Sequence, residues 1–273
     1  MAFDLKKKVA VITGGASGIG LCYAKALLTN GVQAVTLADV NPEYGNKAIR
    51  EIDNEFGINR AIFVQCDVRN IEDLERVFYK TVEKFKFVDI LINNAGILND
   101  AIWENQIAIN VNGTVNGILV AMDKFFPKYK QSGEGVIVNI ASITGIDFHP
   151  HVPIYSGTKS AVVGFTKSWG VREIYDQKKT RFVAVAPGVT LTPLILDIHG
   201  RNLGPVYEQY LREKLDNGMY PTQEPEHVAN ELVKVVKHAE NGSVWVVEGG
   251  EPAFEYIPVD PRLQRKKNVL KIK

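Results

Sequence analysis

Short runs of β-branched and apolar residues alternate with longer segments of helical period along almost the whole chain, and that alternation leaves few folds open. The first run, "KVAVITG" (8–14), is continuously apolar and ends in glycine, as a strand buried on both faces should. Six more follow: "AVTLADV" (34–40), "AIFVQCDV" (61–68), "VDILINNAG" (88–96), "GVIVNIAS" (135–142), "TRFVAVAPG" (180–188) and "SVWVVEGG" (243–250). Helical period fills the gaps: Ile19 to Asn30 with Gly31 as its stop, Pro42 to about Glu55, Ile71 to Phe85, about 101–126, and onward from "VPIYSGTKSAVVGF" (152–165).

Parallel pairing is the consequence, since each helix must return the chain to the same end of the sheet. The expected fold is α/β, a doubly wound, seven-stranded parallel sheet of Rossmann type with helices on both faces. No linker or repeat divides the chain, so residues 1–250 read as one domain and 251–273 as a C-terminal tail. The balance of 32 basic against 31 acidic residues offers no basic face to nucleic acid. The one basic cluster, "RLQRKKNVLKIK" (262–273), reads as a solvated tail. The N-terminal apolar run is too short for a signal peptide, and no stretch approaches the ~18 apolar residues of a membrane span. A cytoplasmic chain with two free thiols, Cys22 and Cys66, is the expectation. His149 and His151 have no third ligand at metal spacing, so no metal is expected.

The turn after the first run reads "TGGASGIG", with Gly14, Gly18 and Gly20 spaced more widely than the usual G-x-G-x-x-G. Glycine there lets the backbone turn sharply and approach a pyrophosphate, while the following helix aims its positive end at that charge. The strand–turn–helix context is what gives the motif its specificity. Two rival glycine turns fail: no Gly-Lys-Ser/Thr ending makes a P-loop, and Ile19 replaces the last glycine of a G-x-S-x-G nucleophile elbow on Ser17. Asp39 ends the second run, 19 residues past Gly20. An acid there accepts the adenosine-ribose hydroxyls and repels a 2′-phosphate, which points to NAD over NADP. A turn-forming aspartate before Asn41-Pro42 is the competing reading.

Three Tyr-x-x-x-Lys pairs occur: Tyr155/Lys159, Tyr175/Lys179 and Tyr210/Lys214. Spacing puts each pair on one helix face and cannot rank them. Tyr155 alone opens a helix after a strand, at the carboxyl end of the sheet where ligands bind, and alone has a serine, Ser142, 13 residues upstream closing that strand.

Together, "TGGASGIG", "NNAG" (93–96), Asn110 in "AINVNG", Ser142, Tyr155-x-x-x-Lys159 and "APGVTLT" resemble the short-chain dehydrogenase/reductase family from about Lys7 to Gly250. "VDILINNAGIL", "VPIYSGTKSAVV", "PGVTLT" and "NGSVW" look closer to the insect-type alcohol dehydrogenases than to the prostaglandin dehydrogenase branch. The resemblance implies a catalytic set of Asn110, Ser142, Tyr155 and Lys159. Tyr155 is the general acid/base, Lys159 a neighbouring cation that lowers its pKa and binds the nicotinamide ribose, Ser142 the partner of the substrate oxygen, and Asn110 the holder of a water. It also implies an NAD site of Gly14, Ser17, Gly18, Ile19, Gly20, Asp39, Asp67, Val68, Asn94, Ala95, Gly96, Tyr155, Lys159, Pro187, Gly188, Thr190 and Thr192. A homodimer or homotetramer is implied as well.

The substrate pocket is expected from 189–220, acting as a lid, with 97–100 and 145–153. Leu194, Ile195, Leu196 and Phe148 either line it or pack in the core. An apolar, secondary alcohol and its ketone suit such a lining, and a bulkier isoprenoid, steroid or prostaglandin alcohol stays open. A catalytically idle NAD-binding scaffold is the reading from another class; a complete Asn110, Ser142, Tyr155 and Lys159 set argues against it.

Overall fold

The computed structural model describes residues 2–131, 133–218, 220–259 and 262. All seven expected strands form: β1 (Val9–Thr13), β2 (Ala34–Asp39), β3 (Ala61–Gln65), β4 (Ile90–Asn93), β5 (Gly135–Ile140), β6 (Thr180–Pro187) and, late in the chain, Ser243–Val247. Between Pro187 and that late strand lie two short segments, β7 (Val189–Thr190) and β8 (Thr222–Gln223), which pair in parallel as a sheet of their own. The late strand is therefore β9, and a further strand, β10 (Phe254–Glu255), follows it. The main sheet runs β10-β9-β6-β5-β4-β1-β2-β3.

Its eight strands correct the expected seven, and β10, antiparallel to β9, corrects an all-parallel sheet. The reason is a reversal after β9. Gly249 and Gly250 take positive φ, 63° and 76°, a region that favours glycine, and the chain doubles back so that Tyr256 N donates to Val244 O at 2.8 Å. Two residues of pairing carry too little period to be read from the sequence.

The remaining strands are parallel, and all but the partly exposed edge strand β3 are largely buried on both faces, with alternate residues serving opposite layers. Ile12, Leu37, Ile92 and Val138 face the layer of α1 (Gly18–Thr29), α2 (Pro42–Phe56) and a late helix, Pro225–His238, through Leu27, Ile52 and Leu232. Val11, Leu91, Ile137 and Phe182 face α3 (Ile71–Phe85) and the helices after β4, meeting Phe78 and Ile118. The expected helix over 101–126 is interrupted. It comprises α4 (Trp103–Ile107), α5 (Gly113–Leu119) and α6 (Phe126–Tyr129), joined by π-helical turns at Ala108–Asn112 and Val120–Phe125. The first π turn carries Asn110, and such turns gather at functional sites.

After β5 come α7 (Pro153–Trp169) and α8 (Arg172–Lys178). Between β7 and β8 the chain makes an excursion through α9 (Pro193–Leu196) and α10 (Pro205–Asp216), and Pro225–His238 is then α11. The order of the sheet reverses between β1 and β4, which opens a crevice beyond their carboxyl ends. Among the described residues no helix is long and apolar enough to cross a membrane. The tail beyond 259, with the basic cluster, lies outside the described residues apart from Arg262.

Candidate active site

The turn after β1 is built from glycine because nothing larger fits. Gly14 sits at φ 60°, and a β-carbon on Gly20 would lie 2.2 Å from Gly14 O. Ser17, at the N-terminal cap of α1, makes no side-chain bond to that helix, so its first-turn N–H groups keep their pull on an anion. Thr13 stitches this turn to β4: its Oγ1 accepts from the N–H groups of Asn94 and Ala95, both at 3.0 Å. Asn94 Nδ2 in turn donates to Thr13 O at 2.9 Å and Gly14 O at 3.0 Å. Thr13 was not expected as a site residue. Its signal was a hydroxyl ending an otherwise apolar strand directly before the glycine turn.

A cleft of about 700 Å³ opens at the switch point, and Gly14, Ser17, Gly18, Ile19, Gly20, Asp39, Asp67, Val68, Asn94, Ala95, Gly96 and Thr192 all line it. Asp39 serves its turn as well: Oδ2 accepts from Ala16 N at 3.2 Å and Oδ1 from Asn41 N at 3.1 Å. The fold brings two arginines to this cleft that adjacency to Asp39 did not reveal, Arg69 and Arg201. Both are engaged. Arg69 Nε donates to both Asp67 oxygens at 2.9 Å and Nη1 to Asn105 Oδ1 at 2.6 Å, while Arg201 pairs with Asp197 at 3.6 Å. Hydrogen bonds from Arg69 hold the Asp67 carboxyl below the usual carboxylate range.

A second cavity, about 310 Å³, continues from the first through Ile19, Asn94, Gly96, Thr192 and Leu194. It brings together Ser142, Tyr155, Lys159, Pro187, Gly188 and Thr190. Tyr155 and Lys159 stand one turn apart on α7, 6% and 5% exposed, with Lys159 Nζ 5.6 Å from the Tyr155 ring centre. Lys159 Nζ donates to Ile140 O at 2.8 Å, and the Ser142 hydroxyl, which accepts from Thr144 N at 3.2 Å, pulls the Tyr155 pKa downward. Asn110 lines neither cavity. It clamps Ile97 instead, Oδ1 accepting from Ile97 N and Nδ2 donating to Ile97 O, both at 2.9 Å, with Thr158 Oγ1 at 3.1 Å. Thr190 donates to Gly188 O at 3.0 Å and accepts from Gln223 Nε2 at 3.3 Å, which ties β7 to β8.

Burial pushes Tyr155 up to about 12, with Ser142 pulling the other way, and pushes Lys159 down to about 8. Without the charge of a nicotinamide, desolvation is the largest influence on this phenol. The other two Tyr-x-x-x-Lys pairs show the same ring–ammonium contact, 5.2 Å for Tyr175/Lys179 and 5.1 Å for Tyr210/Lys214. Only their surroundings differ. Tyr175 donates to Glu134 at 2.8 Å, and Tyr210 stacks on His151.

The walls of the second cavity are Leu98, Ile143, Val152, Leu194, Ile195, Leu196, Ile198 and Leu211. Phe148 does not line it; at 72% exposure it points to solvent. His149, His151 and Tyr220 do, as a stacked group: His149 lies 4.9 Å from Tyr220, and His151 lies 6.1 Å from Tyr210. Sequence reasoning weighed these histidines only as metal ligands, because their tyrosine partners sit far downstream.

A glycine-cradled cleft at the switch point, continuous with a pocket presenting a buried phenol, hydroxyl and ammonium, defines a dinucleotide-dependent oxidoreductase. The chain belongs to the short chain dehydrogenase family, whose description matches residues 8–200. It is 33% identical over 242 residues to 15-hydroxyprostaglandin dehydrogenase [NAD(+)] of Rattus norvegicus, covering 88% of this chain and 90% of that one. It is 31% identical over 245 residues to alcohol dehydrogenase 1 of Ceratitis cosyra, covering 89% and 92%. Both expected branches are therefore present at similar identity. Among solved structures it resembles 3-ketoacyl-(acyl-carrier-protein) reductase from Brucella melitensis complexed with NADH, with TM-score 0.74 and 26% identity over 90% of this chain and 98% of that one.

Proposed function

We propose that this protein is an NAD-dependent dehydrogenase that interconverts an apolar, secondary alcohol and its ketone. The observation that carries the reading is the meeting of Tyr155, Ser142 and Lys159 in an apolar pocket that opens into the glycine-lined cleft. The cleft suits a dinucleotide: an uncapped α1 N-terminus for pyrophosphate, Asp39 for a ribose diol, and Gly96, where a β-carbon would stand 3.2 Å from Asn110 Oδ1 and 3.5 Å from Lys159 Nζ. Pro187, Gly188, Thr190 and Thr192 would border the nicotinamide.

When bound, NAD accepts the hydride from the carbinol carbon. Tyr155 takes the hydroxyl proton, or returns it in reduction, and Ser142 holds the substrate oxygen by a hydrogen bond as its charge changes. Near neutrality Tyr155 is a phenol, ready to donate in reduction. Oxidation requires its proton to leave, a loss that a cationic nicotinamide held in the cleft would favour. Asn110 holds Ile97, the residue after Gly96, in place through two hydrogen bonds.

Among the described residues, Lys159 is the one lysine or arginine lining the pocket, which favours a neutral alcohol over an anionic one. The second reading is a bulkier isoprenoid, steroid or prostaglandin alcohol, favoured by the prostaglandin-dehydrogenase relative. A cytoplasmic homodimer or homotetramer completes the proposal.

Initial rates of NADH formation across primary, secondary, isoprenoid, steroid and prostaglandin alcohols test it, with NADP in parallel and Tyr155→Phe as the blank. The variant should lose turnover by roughly 10²–10⁴-fold while NAD affinity stays near wild type, because only a proton carrier is removed. Wild-type rates in that variant end the tyrosine mechanism, and NAD binding without turnover of any alcohol supports the idle scaffold.

A further inference from the structure

Tyr155 lies in the first turn of α7, and that helix has no cap of its own. Val152 at the cap offers no side-chain oxygen, and Pro153 follows it. The next N–H groups, of Ile154 and Tyr155, must find acceptors elsewhere. Both find them in Asp100, far upstream on the turn between β4 and α4. Oδ2 accepts from Ile154 N at 2.8 Å and Oδ1 from Tyr155 N at 2.9 Å. Asp100 is fully buried. Its third partner is Gln106, also fully buried, whose Nε2 donates to Oδ1 at 2.7 Å while its Oε1 accepts from Asn99 N at 2.6 Å. The positive end of α7 and three N–H donors are what make a buried carboxylate tenable here.

The same residue reaches the pocket cover. Asp100 N donates to Arg201 O at 2.7 Å, in the segment joining α9 to α10. One residue thus ties the backbone of the excursion over the pocket to the turn that carries the phenol.

We infer that Asp100 is a positioning residue for the reaction proposed above, and the inference rests on the reading of Tyr155 as proton carrier. Its carboxylate sets where the first turn of α7 begins, and so where the Tyr155 phenol stands relative to Ser142. Its backbone N–H joins the cover to that same point. An ordinary helix cap would hold the fold alone, and its loss would cost stability with no preference for kcat.

Asp100→Asn and Asp100→Ala in the full chain separate the two. Asparagine still presents one oxygen to Tyr155 N and Gln106, but sets its NH₂ against Ile154 N; alanine satisfies neither helix N–H. The expected order is wild type, then Asn down roughly 10-fold in kcat, then Ala down roughly 10²-fold, the scale of an ångström misplacement. NAD affinity, read by binding, should stay within about threefold because no cleft group is touched. Hydrogen exchange should quicken at 154–159, whose first N–H groups lose their acceptor, and at 99–106, where Gln106 and Asn99 depend on the same carboxylate.

A kcat for Asp100→Ala within twofold of wild type overturns the inference, as does a loss that follows NAD affinity or global melting alone. Exchange needs no substrate and so keeps the two readings apart. Unchanged exchange at 154–159 sinks the role of Asp100 even where turnover falls. If wild type oxidises no alcohol, the dehydrogenase reading fails, and a catalytic positioning role for Asp100 fails with it, however fast the exchange. Should the alanine variant not fold, the asparagine variant carries both measurements.

Discussion

Lys159 and Tyr155 are pushed toward their neutral forms by the same burial, in opposite directions on the pH scale. An ammonium with a folded pKa near 8, against 10.5 unfolded, is a cost to the fold below about pH 8. Between those two values the unfolded chain binds the extra proton, so stability from this group rises with pH across that window. Lys159→Met should therefore stabilise the protein at pH 7, on the order of 1–2 kcal/mol after the loss of the bond to Ile140 O, while abolishing turnover. Urea melts at pH 7 and pH 10 check it: the gain should shrink at the higher pH, and a variant less stable than wild type at pH 7 would show that the hydrogen bond outweighs desolvation. Its place at the start of a helix after a strand, together with Ser142, singled out Tyr155 in the sequence. The direction of its shift was not legible, because a sequence shows which charge is near but not how dry the site is. Asp100 was illegible for a different reason: a cap supplied from 55 residues away leaves no local pattern.

The excursion between β7 and β8 meets the 149–151 turn through stacked rings, Tyr220 on His149 and Tyr210 on His151. Burial lowers the pKa of both histidines, His151 to about 4. Unfolded, each takes up a proton near pH 6.5; folded, His151 resists until about 4. The stability this contact lends is complete above about 6.5 and is lost as pH falls toward 4. His151→Phe keeps a ring against Tyr210 and removes the titration, so the wild type should lose on the order of 1–3 kcal/mol more than the variant between pH 7 and pH 4.5. Equal losses in the two proteins would remove His151 from the account of acid sensitivity. Element boundaries explain what the sequence could show here. Pro42 opens its helix where expected, Pro153 opens the helix expected to start within 152–165, and α3 runs from Ile71 to Phe85 as its apolar period says. The two π turns, one of them carrying Asn110, left no trace, since helical period continues through one inserted residue.

At the scale of the molecule, alternation implies parallel pairing of the seven expected strands and ligands beyond their carboxyl ends, while the order β6-β5-β4-β1-β2-β3, and so the place of the crevice, comes from the fold. What alternation could not deliver is β10, whose pairing depends on two glycines turning the chain back. It also could not deliver the convergence of Arg69 and Arg201 on the cleft of Asp39, which is a property of three dimensions. That convergence sharpens the choice between NAD and NADP. A 2′-phosphate entering beside Asp39 meets a carboxylate, while Arg69 is already committed to Asp67 and Asn105. Ligand that binds only the folded chain adds about 2.7 kcal/mol at 100 times its dissociation constant, and about 2–4 °C per kcal/mol applies to a chain this large. Saturating NAD should thus raise the melting temperature by roughly 5–10 °C, and NADP at equal concentration by much less. Asp39→Asn removes the charge yet keeps one oxygen for the N–H of Ala16 or Asn41, so the unliganded melting point should move little. In that variant the NAD shift should shrink and the NADP shift grow, because one substitution removes the diol's acceptor and the phosphate's repulsion together. An unchanged ratio of the two shifts would leave Asp39 as a residue of the turn, and would move the discrimination between the cofactors to the Arg69–Asp67 pair.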